Sequence, residues 1–321
     1  LAHGHEAAPQ AETRGEVNFP VSCAAAVQPS FNRAMALYHS FYWPKVAQAF
    51  DEIVKADPEC AMAHWGRAMV KMDNPFLWPL TGKALDEGLA AVDKAKALRP
   101  KTERERGYIA AAEQFFKDHD KREHKVRVAA YEQAMAELAR RYPDDIEARI
   151  LHWLVLSANF DPKDKTYAKQ LKAAEILEPI FRARPGHPGV AHYLIHSYDY
   201  PPLAAKGLDA AKRFAAVAAS TPHAQHMPSH IFTRLGYWQD SIVSNLASAA
   251  TGKDLRARLH AWDYLVYAYL QAGQESDAKR IVAEVRAIAK VENETFAAAY
   301  ALAAIPARFA LERGRWAEAA I

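Results

Sequence analysis

The sequence has only two cysteines, Cys23 and Cys60, among 321 residues, and it has little excess charge of either sign. Its 41 basic and 38 acidic side chains give a formal net charge of +3. Because no basic stripe with interleaved aromatic residues accompanies this balance, we expect no nucleic-acid partner. No apolar run approaches the ~18–20 residues that a membrane-spanning helix needs, so we expect no membrane span.

The common sequence motifs of catalysis are also missing. There is no glycine-rich phosphate loop, no G-x-S-x-G, no HExxH and no CxxC. No pair of carboxylates stands out as an acid–base dyad, and most acidic residues are expected on exposed helix faces. The sequence therefore leaves open whether the protein is an enzyme.

The composition is that of a folded protein with a substantial core, since 50% of the residues are hydrophobic and 25% are charged. Residues 1–18 are the exception, because they are mostly small or polar and follow no structural period. We expect them to form a flexible leader before a single domain over residues 19–321. Since the chain starts at Leu1, removal of a signal peptide would make the protein an exported one, periplasmic or secreted.

Helical periodicity dominates from Phe31 onwards, and prolines punctuate it at regular intervals. Pro58, Pro100, Pro143, Pro185 and Pro222 lie roughly 40 residues apart, which leaves room for two helices and two turns in each interval. The predicted helix pairs cover residues 29–57, 59–99, 102–142, 145–184, 188–221, 227–251 and 257–290, with an eighth unit beginning at 294.

Several units match the tetratricopeptide pattern, which ends in A-x3-F followed by a proline. Ala210, Phe214 and Pro222 match it fully, and Val46-x3-Phe50 followed by Pro58 matches with one conservative change. We predict an all-α, right-handed superhelical solenoid of seven to eight such repeats. The first helices of the repeats would line a concave groove, whose ordinary role is to bind a peptide or protein partner.

The 14 histidines are unevenly placed within this pattern. When Gly236 is aligned with the glycine that closes the first helix of a repeat, groove-facing positions fall at His223, His226, His230 and Arg234. The same alignment of the neighbouring units adds the residues His192, His196, His260 and Asp263. Three consecutive groove helices would therefore direct imidazoles at one concave patch.

Two histidine pairs have the spacing of metal ligands. His192/His196 and His226/His230 are each at i and i+4, which lie on the same face of a helix. Imidazole suits copper and zinc, so we predict a copper or zinc site whose ligands are His192, His196, His226, His230 and His260. The pairs could share one ion or bind one ion each. Pro228 complicates the second pair, since proline favours the first position of a helix and would leave His226 just outside it.

Other groove residues are predicted to support such a site. Asp199 and Asp263 are candidate carboxylates behind the imidazoles or additional ligands, and Arg234 is a candidate partner for an anion. Tyr167 either donates a hydrogen bond or serves as an acid near His192 or, as we favour, only packs. His39, at a late groove position, is more typical of packing or capping.

Several segments resemble a family of bacterial, exported tetratricopeptide-repeat proteins of uncharacterised function. They are FPVSC from Phe19, FNRAMALYHSFYW from Phe31, DPECAMAHWGRAM from Asp57, DKTYAKQLKAAEILEP from Asp164, HPGVAHYLIHSYD from His187 and HMPSHIFTRLGYW from His226. The residues alone leave Cys23 and Cys60 as either a disulfide or two free thiols, whereas the resemblance implies the disulfide. It also implies the fold, export and a role for the groove histidines with His39, but it implies no reaction.

Three hypotheses of function remain. The groove binds copper or zinc, as a metallochaperone or a metalloenzyme; it captures a peptide or protein without metal or catalysis; or it receives a small ligand in a pocket of aromatic and histidine side chains. The first is our prediction and the second its main alternative.

Overall fold

A computed structural model describes residues 14–252, 255–291 and 296–319, and within these ranges the protein is helical and contains no β-strand. The α-helices are α1 Gln28–His39, α2 Trp43–Ala56, α3 Ala61–Met72, α4 Gly82–Ala97, α5 Glu103–Phe116, α6 His124–Arg141, α7 Ile146–Ala158, α8 Ala168–Ala183, α9 Pro188–Tyr198, α10 Leu208–Val217, α11 Pro222–His226, α12 Pro228–Leu235, α13 Trp238–Thr251, α14 Leu255–Gln271, α15 Glu275–Arg286 and α16 Phe296–Leu311.

Consecutive helices pack against each other in pairs, which confirms the predicted tetratricopeptide-type solenoid. The first pair is α1 with α2, the third α5 with α6, and the seventh α14 with α15. The sixth unit differs, because α11 and α12 together take the place of its first helix. The predicted eighth unit corresponds to α16 and a short 3-10 turn at Trp316–Ala319.

The helix ends follow from local sequence chemistry. Thr102 and Glu105 form a reciprocal capping box at the start of α5, and the Asp145 carboxylate accepts backbone N–H bonds at the start of α7. Gly236 and Gly273 adopt left-handed backbone conformations (φ 74° and 73°) after α12 and α14. These glycines hold the helix-closing positions that the repeat alignment gave them.

Close packing between helices explains one further glycine. A Cβ atom on Gly66 of α3 would lie 2.1 Å from the ring of Phe50 on α2. Only a residue without a side chain lets the two helices approach this closely. Most buried side chains form one hydrophobic cluster from Phe19 to Phe232, and a second cluster runs from Ile242 to Phe309.

The solenoid curves far enough that α1 of the first unit packs against α9 of the fifth. The part of the predicted leader that the structure describes, residues 14–18, lies beside this contact. Its Glu16 N–H donates to the carbonyl of Gly186 (2.9 Å), and Val17 packs on the core. The rest of the leader lies outside the described residues.

Cys23 and Cys60 are joined by a disulfide, which ties the segment before α1 to the start of α3. Among the described residues, no helix is both long and apolar enough to cross a lipid bilayer.

Candidate metal centre

Six imidazoles from the first helices of three consecutive units meet in the groove. They form two groups of three, and in each group one ring nitrogen per histidine lies within 4.8 Å of the others. The first triad comprises His192 and His196 of α9 with His223 of α11. The second triad comprises His226 of α11, His230 of α12 and His260 of α14.

In the first triad, His192 is fully buried and central. Its Nε2 atom lies 3.1 Å from Nε2 of His196 and 3.1 Å from Nε2 of His223. Its Nδ1 lies 2.6 Å from the backbone carbonyl oxygen of His39, which only accepts hydrogen bonds. Nδ1 must therefore carry the proton, and the Nε2 lone pair of His192 points at the other two imidazoles.

In the second triad, Nε2 of His226 lies 2.9 Å from Nε2 of His230. His226 Nδ1 lies 2.6 Å from Oδ1 of Asn245, whose amide is oriented because its Nδ2 donates to the carbonyl of Ser241 (2.8 Å). His230 Nδ1–H donates to Oδ2 of Asp199 at 2.7 Å. Both Nδ1 atoms are therefore donors, and when the two rings are neutral their Nε2 lone pairs face each other.

This pair forms although Pro228 interrupts the helix. Met227, between α11 and α12, keeps helical dihedral angles (φ −54°, ψ −35°), and its N–H still bonds to the carbonyl of His223. The break removes one donor without redirecting the chain, so His226 and His230 stay on one face. Pro228 was expected to place His226 just outside the helix. The backbone stays helical across the proline instead, so the two histidines remain close.

Aromatic rings enclose the triads on several sides. The ring of Phe76 stacks on His196 with centroids 4.4 Å apart, and Phe214 stacks on His192 at 5.0 Å. Phe41 contacts His192 at 4.6 Å and His223 at 5.6 Å. Phe41 holds a left-handed conformation (φ 52°), which costs a non-glycine residue about 1–3 kcal/mol. Such strain is typical of functional sites.

These surroundings keep five of the six imidazoles neutral. Burial lowers the pKa of His192 to about 3, and it lowers the pKa values of His196, His223 and His226 well below 6.5, with neighbouring imidazoles adding to the effect. The pKa of His260 is lowered to about 3 by the packing around its ring and by His230 and Arg256, although its side chain is the most exposed of the six. Neutral imidazole is the form that binds metals.

Asp199 and Arg234 both lie at the second triad. Asp199 Oδ1 accepts a hydrogen bond from Arg234 Nε at 2.9 Å, while Oδ2 accepts from His230. Burial alone would raise the pKa of Asp199, but His230 and Arg234 outweigh it and lower the pKa, so the carboxylate is ionised. A carboxylate behind a histidine is a common support for a metal ligand.

Asp263 and Tyr167 lie elsewhere. Asp263 faces α16, where Arg308 Nε donates to its carboxylate at 3.0 Å. Tyr167 precedes α8 and packs against Tyr200, with ring centroids 4.9 Å apart. Neither side chain has a described hydrogen bond or ring contact with a triad histidine.

His39 belongs to a separate buried group behind the first triad. Its Nε2 and the Nε2 of His187 each lie 2.8 Å from the Glu147 carboxylate, and its Nδ1 lies 3.0 Å from the Tyr193 hydroxyl. Burial raises the pKa of Glu147, but the two histidines outweigh it and lower the pKa below its usual value. His39 thus contributes its backbone carbonyl to the triad, and its ring is engaged elsewhere.

Sequence reasoning missed several residues of the site. Tyr264 was within reach, since it lies at i+4 from His260 and its ring packs on His226 and His230. Asn245 comes from the second helix of the same unit as His226, and Glu147 carries no local signal because it reaches His39 from a distant unit.

No protein-family model matches the chain, and no curated protein matches it significantly. Among solved structures, it is similar to human IFIT1, seen as a dimer with m7Gppp-AAAA, with a TM-score of 0.53 and 13% sequence identity over 92% of this chain and 67% of that one. At this identity the likeness concerns the fold alone. The protein is thus a tetratricopeptide-type helical repeat protein whose groove holds six clustered histidines.

Proposed function

We propose that the protein binds copper or zinc ions through the histidines of its groove. The observation that carries the proposal is the pair His226 and His230. Their Nδ1 protons are committed to Asn245 and Asp199, so in the neutral rings the Nε2 lone pairs face each other at 2.9 Å. Two lone pairs at this distance repel each other unless a positive charge lies between them.

A metal ion satisfies this arrangement better than a proton. A proton bridges two nitrogens, whereas each triad gathers three, and His192 Nε2 lies equally close to His196 and His223. Nitrogen ligands at ~2.0–2.1 Å from a tetrahedral zinc ion lie about 3.3 Å from each other, close to the observed separations of 2.9–3.1 Å. A small expansion of each triad would admit an ion.

The donor set selects the class of metal. All six candidate ligands are imidazoles, and the two cysteines are joined to each other. Imidazole nitrogen suits copper and zinc, whereas magnesium and calcium prefer oxygen. Copper would allow oxidation chemistry, and zinc with an open position would activate water for hydrolysis.

Export from the cytoplasm is part of the proposal. Disulfides persist in oxidising compartments, and the Cys23–Cys60 bond would be stable in a periplasmic or secreted protein of the bacterial family that the sequence resembles.

Elemental analysis of protein purified without an affinity tag or chelator tests the proposal. We expect copper or zinc in the wild type and a clear loss of metal in the variants His196→Ala and His230→Ala. His119→Ala is the matched control, since this histidine pairs with Asp86 outside the groove. Absence of metal, together with no binding when Cu(I), Cu(II) or Zn(II) is titrated at neutral pH, would refute it.

The alternative is a scaffold whose groove captures a peptide or protein without metal, as the repeat fold favours. It requires a partner whose binding survives a chelator and the His196→Ala substitution. IFIT1 was solved with m7Gppp-AAAA, but the balanced charge of this chain still leads us to expect no nucleic-acid partner. Titration with m7Gppp-AAAA should give no binding.

A further inference from the structure

We propose that the six histidines form two separate copper sites, one in each triad, which together bind dioxygen between them. This inference rests on the proposed metal-binding function and assigns it a stoichiometry, a metal and a small-molecule substrate.

The geometry favours two ions over one. Within each triad the candidate nitrogens lie within 4.8 Å of one another, but the six do not form one group at that spacing. Each triad also has its own supporting contacts. The carbonyl of His39 orients His192 in the first, and Asn245 and Asp199 orient His226 and His230 in the second. Three imidazoles are a complete ligand set with an open position, so each triad can hold an ion without ligands from the other.

The two triads are nevertheless adjacent. The ring centroids of His196 and His230 lie 6.1 Å apart, as do those of His223 and His226, and His223 and His260 are separated by 6.4 Å. These contacts cross from one triad to the other. Ions bound in the two triads would therefore be neighbours, and the proposed ligand would occupy the shared space between them, as in two-metal sites.

The charge of the pocket favours copper in its monovalent state. Within the described part of the chain, Asp199 is the one carboxylate hydrogen-bonded to a triad histidine. Two zinc ions would place four positive charges beside that single negative charge in a mostly buried pocket, which is costly. Two Cu(I) ions bring half that charge, and Cu(I) accepts three nitrogen ligands without an additional anion.

The same charge argument suits dioxygen as the ligand. Two Cu(I) ions held by the triads would supply one electron each, which is the two electrons that reduce dioxygen to the peroxide level. The positive charge that the ions gain would equal the negative charge that the oxygen gains, so the net charge of the pocket would not change. No other oxidant or reductant would be needed, and no proton would move.

Access to the shared space fits a small molecule. Phe76 covers His196 by stacking, and Phe41 covers His223, whereas His260 is exposed at the rim. The aromatic side would exclude water from the ions, and the side at His260 would admit dioxygen.

Anaerobic titration of the whole chain with Cu(I), in competition with a chromophoric chelator, counts the sites. We expect two copper ions per chain in the wild type and one in each of His223→Ala and His260→Ala, with circular dichroism confirming that the variants are folded. One ion in the wild type would overturn the two-site inference but leave the metal-binding function standing. No ion at all would overturn both.

Admission of air to the dicopper(I) protein tests the dioxygen step. We expect a new near-ultraviolet charge-transfer band and an electron paramagnetic resonance signal far below two spins per chain, because bridged Cu(II) ions couple. The His119→Ala control should retain both properties, and His223→Ala and His260→Ala should lose the band. A wild-type spectrum with two full spins and no band would overturn the shared ligand, as would preferential binding of two zinc ions over copper.

Discussion

The Nδ1 atom of His192 lies 2.6 Å from the backbone carbonyl oxygen of His39, 153 residues earlier in the chain. This hydrogen bond joins the first repeat to the fifth at the point where α1 packs on α9. The same hydrogen bond therefore fixes the tautomer of His192, a candidate ligand, and holds the two repeats together across the solenoid's curve. A change that separates the two helices should disturb the first triad before the second.

Gly189→Ala tests this coupling. A Cβ atom at residue 189 would lie 2.7 Å from Nδ1 of His39, whose ring is held in place by Glu147 and Tyr193. We expect overpacking to lower the free energy of unfolding by about 1–3 kcal/mol. We also expect it to weaken metal binding at the first triad by about tenfold or more, as losses of a supporting contact do.

The control for this substitution is Gly82→Ala at the start of α4, where an added Cβ atom meets nothing within 4 Å. Denaturant unfolding and copper titration of both variants provide the comparison. Equal behaviour of the two would show that the α1–α9 contact does not position His192.

Asp199→Asn should weaken the second triad. The substitution keeps the size of the side chain but removes the negative charge of the carboxylate, whose Oδ2 accepts the hydrogen bond from His230 Nδ1–H at 2.7 Å. Loss of such a carboxylate costs about 10–100-fold in metal affinity, and we expect a loss in that range, with the fold retained. Competition titration measures it.

Asp209→Asn is the matched control, because Asp209 forms an exposed pair with Arg213 within α10. Its affinity for metal should equal that of the wild type. If Asp199→Asn also binds metal with wild-type affinity, Asp199 only pairs with Arg234 and does not support His230 as a ligand.

The sequence predicted the fold well because each repeat is specified locally. Proline spacing, helical periodicity and the closing glycines Gly236 and Gly273 all lie within one unit, and the structure confirms the helix pairs that they indicate. The same register predicted that His192 and His230 would lie in neighbouring groove helices.

The parts of the site that depend on distant contacts were beyond such reasoning. Nothing near Glu147 indicates that it will lie between His39 and His187, since those contacts span 108 and 40 residues. For Asp263 the local pattern was misleading. The repeat alignment placed it at a groove position, but its carboxylate accepts a hydrogen bond from Arg308 of the following unit and has no described hydrogen bond with the imidazoles.

Reduction of the Cys23–Cys60 disulfide should destabilise the protein. The bond closes a loop with a sequence separation of 37, and loss of a cross-link of that size costs about 3–4 kcal/mol in the chain-entropy model. We expect a reducing agent to lower the thermal midpoint of the wild type. It should have no effect on the double variant Cys23→Ser/Cys60→Ser, which already lacks the bond. An unchanged midpoint in wild-type protein shown by mass spectrometry to be reduced would contradict the prediction.

The stability of the metal-free protein should fall as the pH is lowered below about 6.5. The pKa of His192 is about 3 in the folded state against 6.5 for an ordinary histidine, so the unfolded chain binds the proton more tightly. Its contribution to folding is complete above pH 6.5 and is lost progressively between 6.5 and 3, at about 1.4 kcal/mol per pH unit. Below about 4.5, protonation of Glu147, whose pKa is also lowered in the folded state, adds to the loss.

Denaturant unfolding between pH 7 and 4.5 isolates the contribution of the histidines. Over this range the wild type should lose more free energy of unfolding than His192→Gln, by about 2–3 kcal/mol, because the variant lacks one buried titrating group. Bound copper or zinc should move the loss to lower pH, since protons must then displace the metal from the same Nε2 atoms. Identical pH dependence in the wild type and the variant would mean that the imidazole of His192 is not held neutral by the fold.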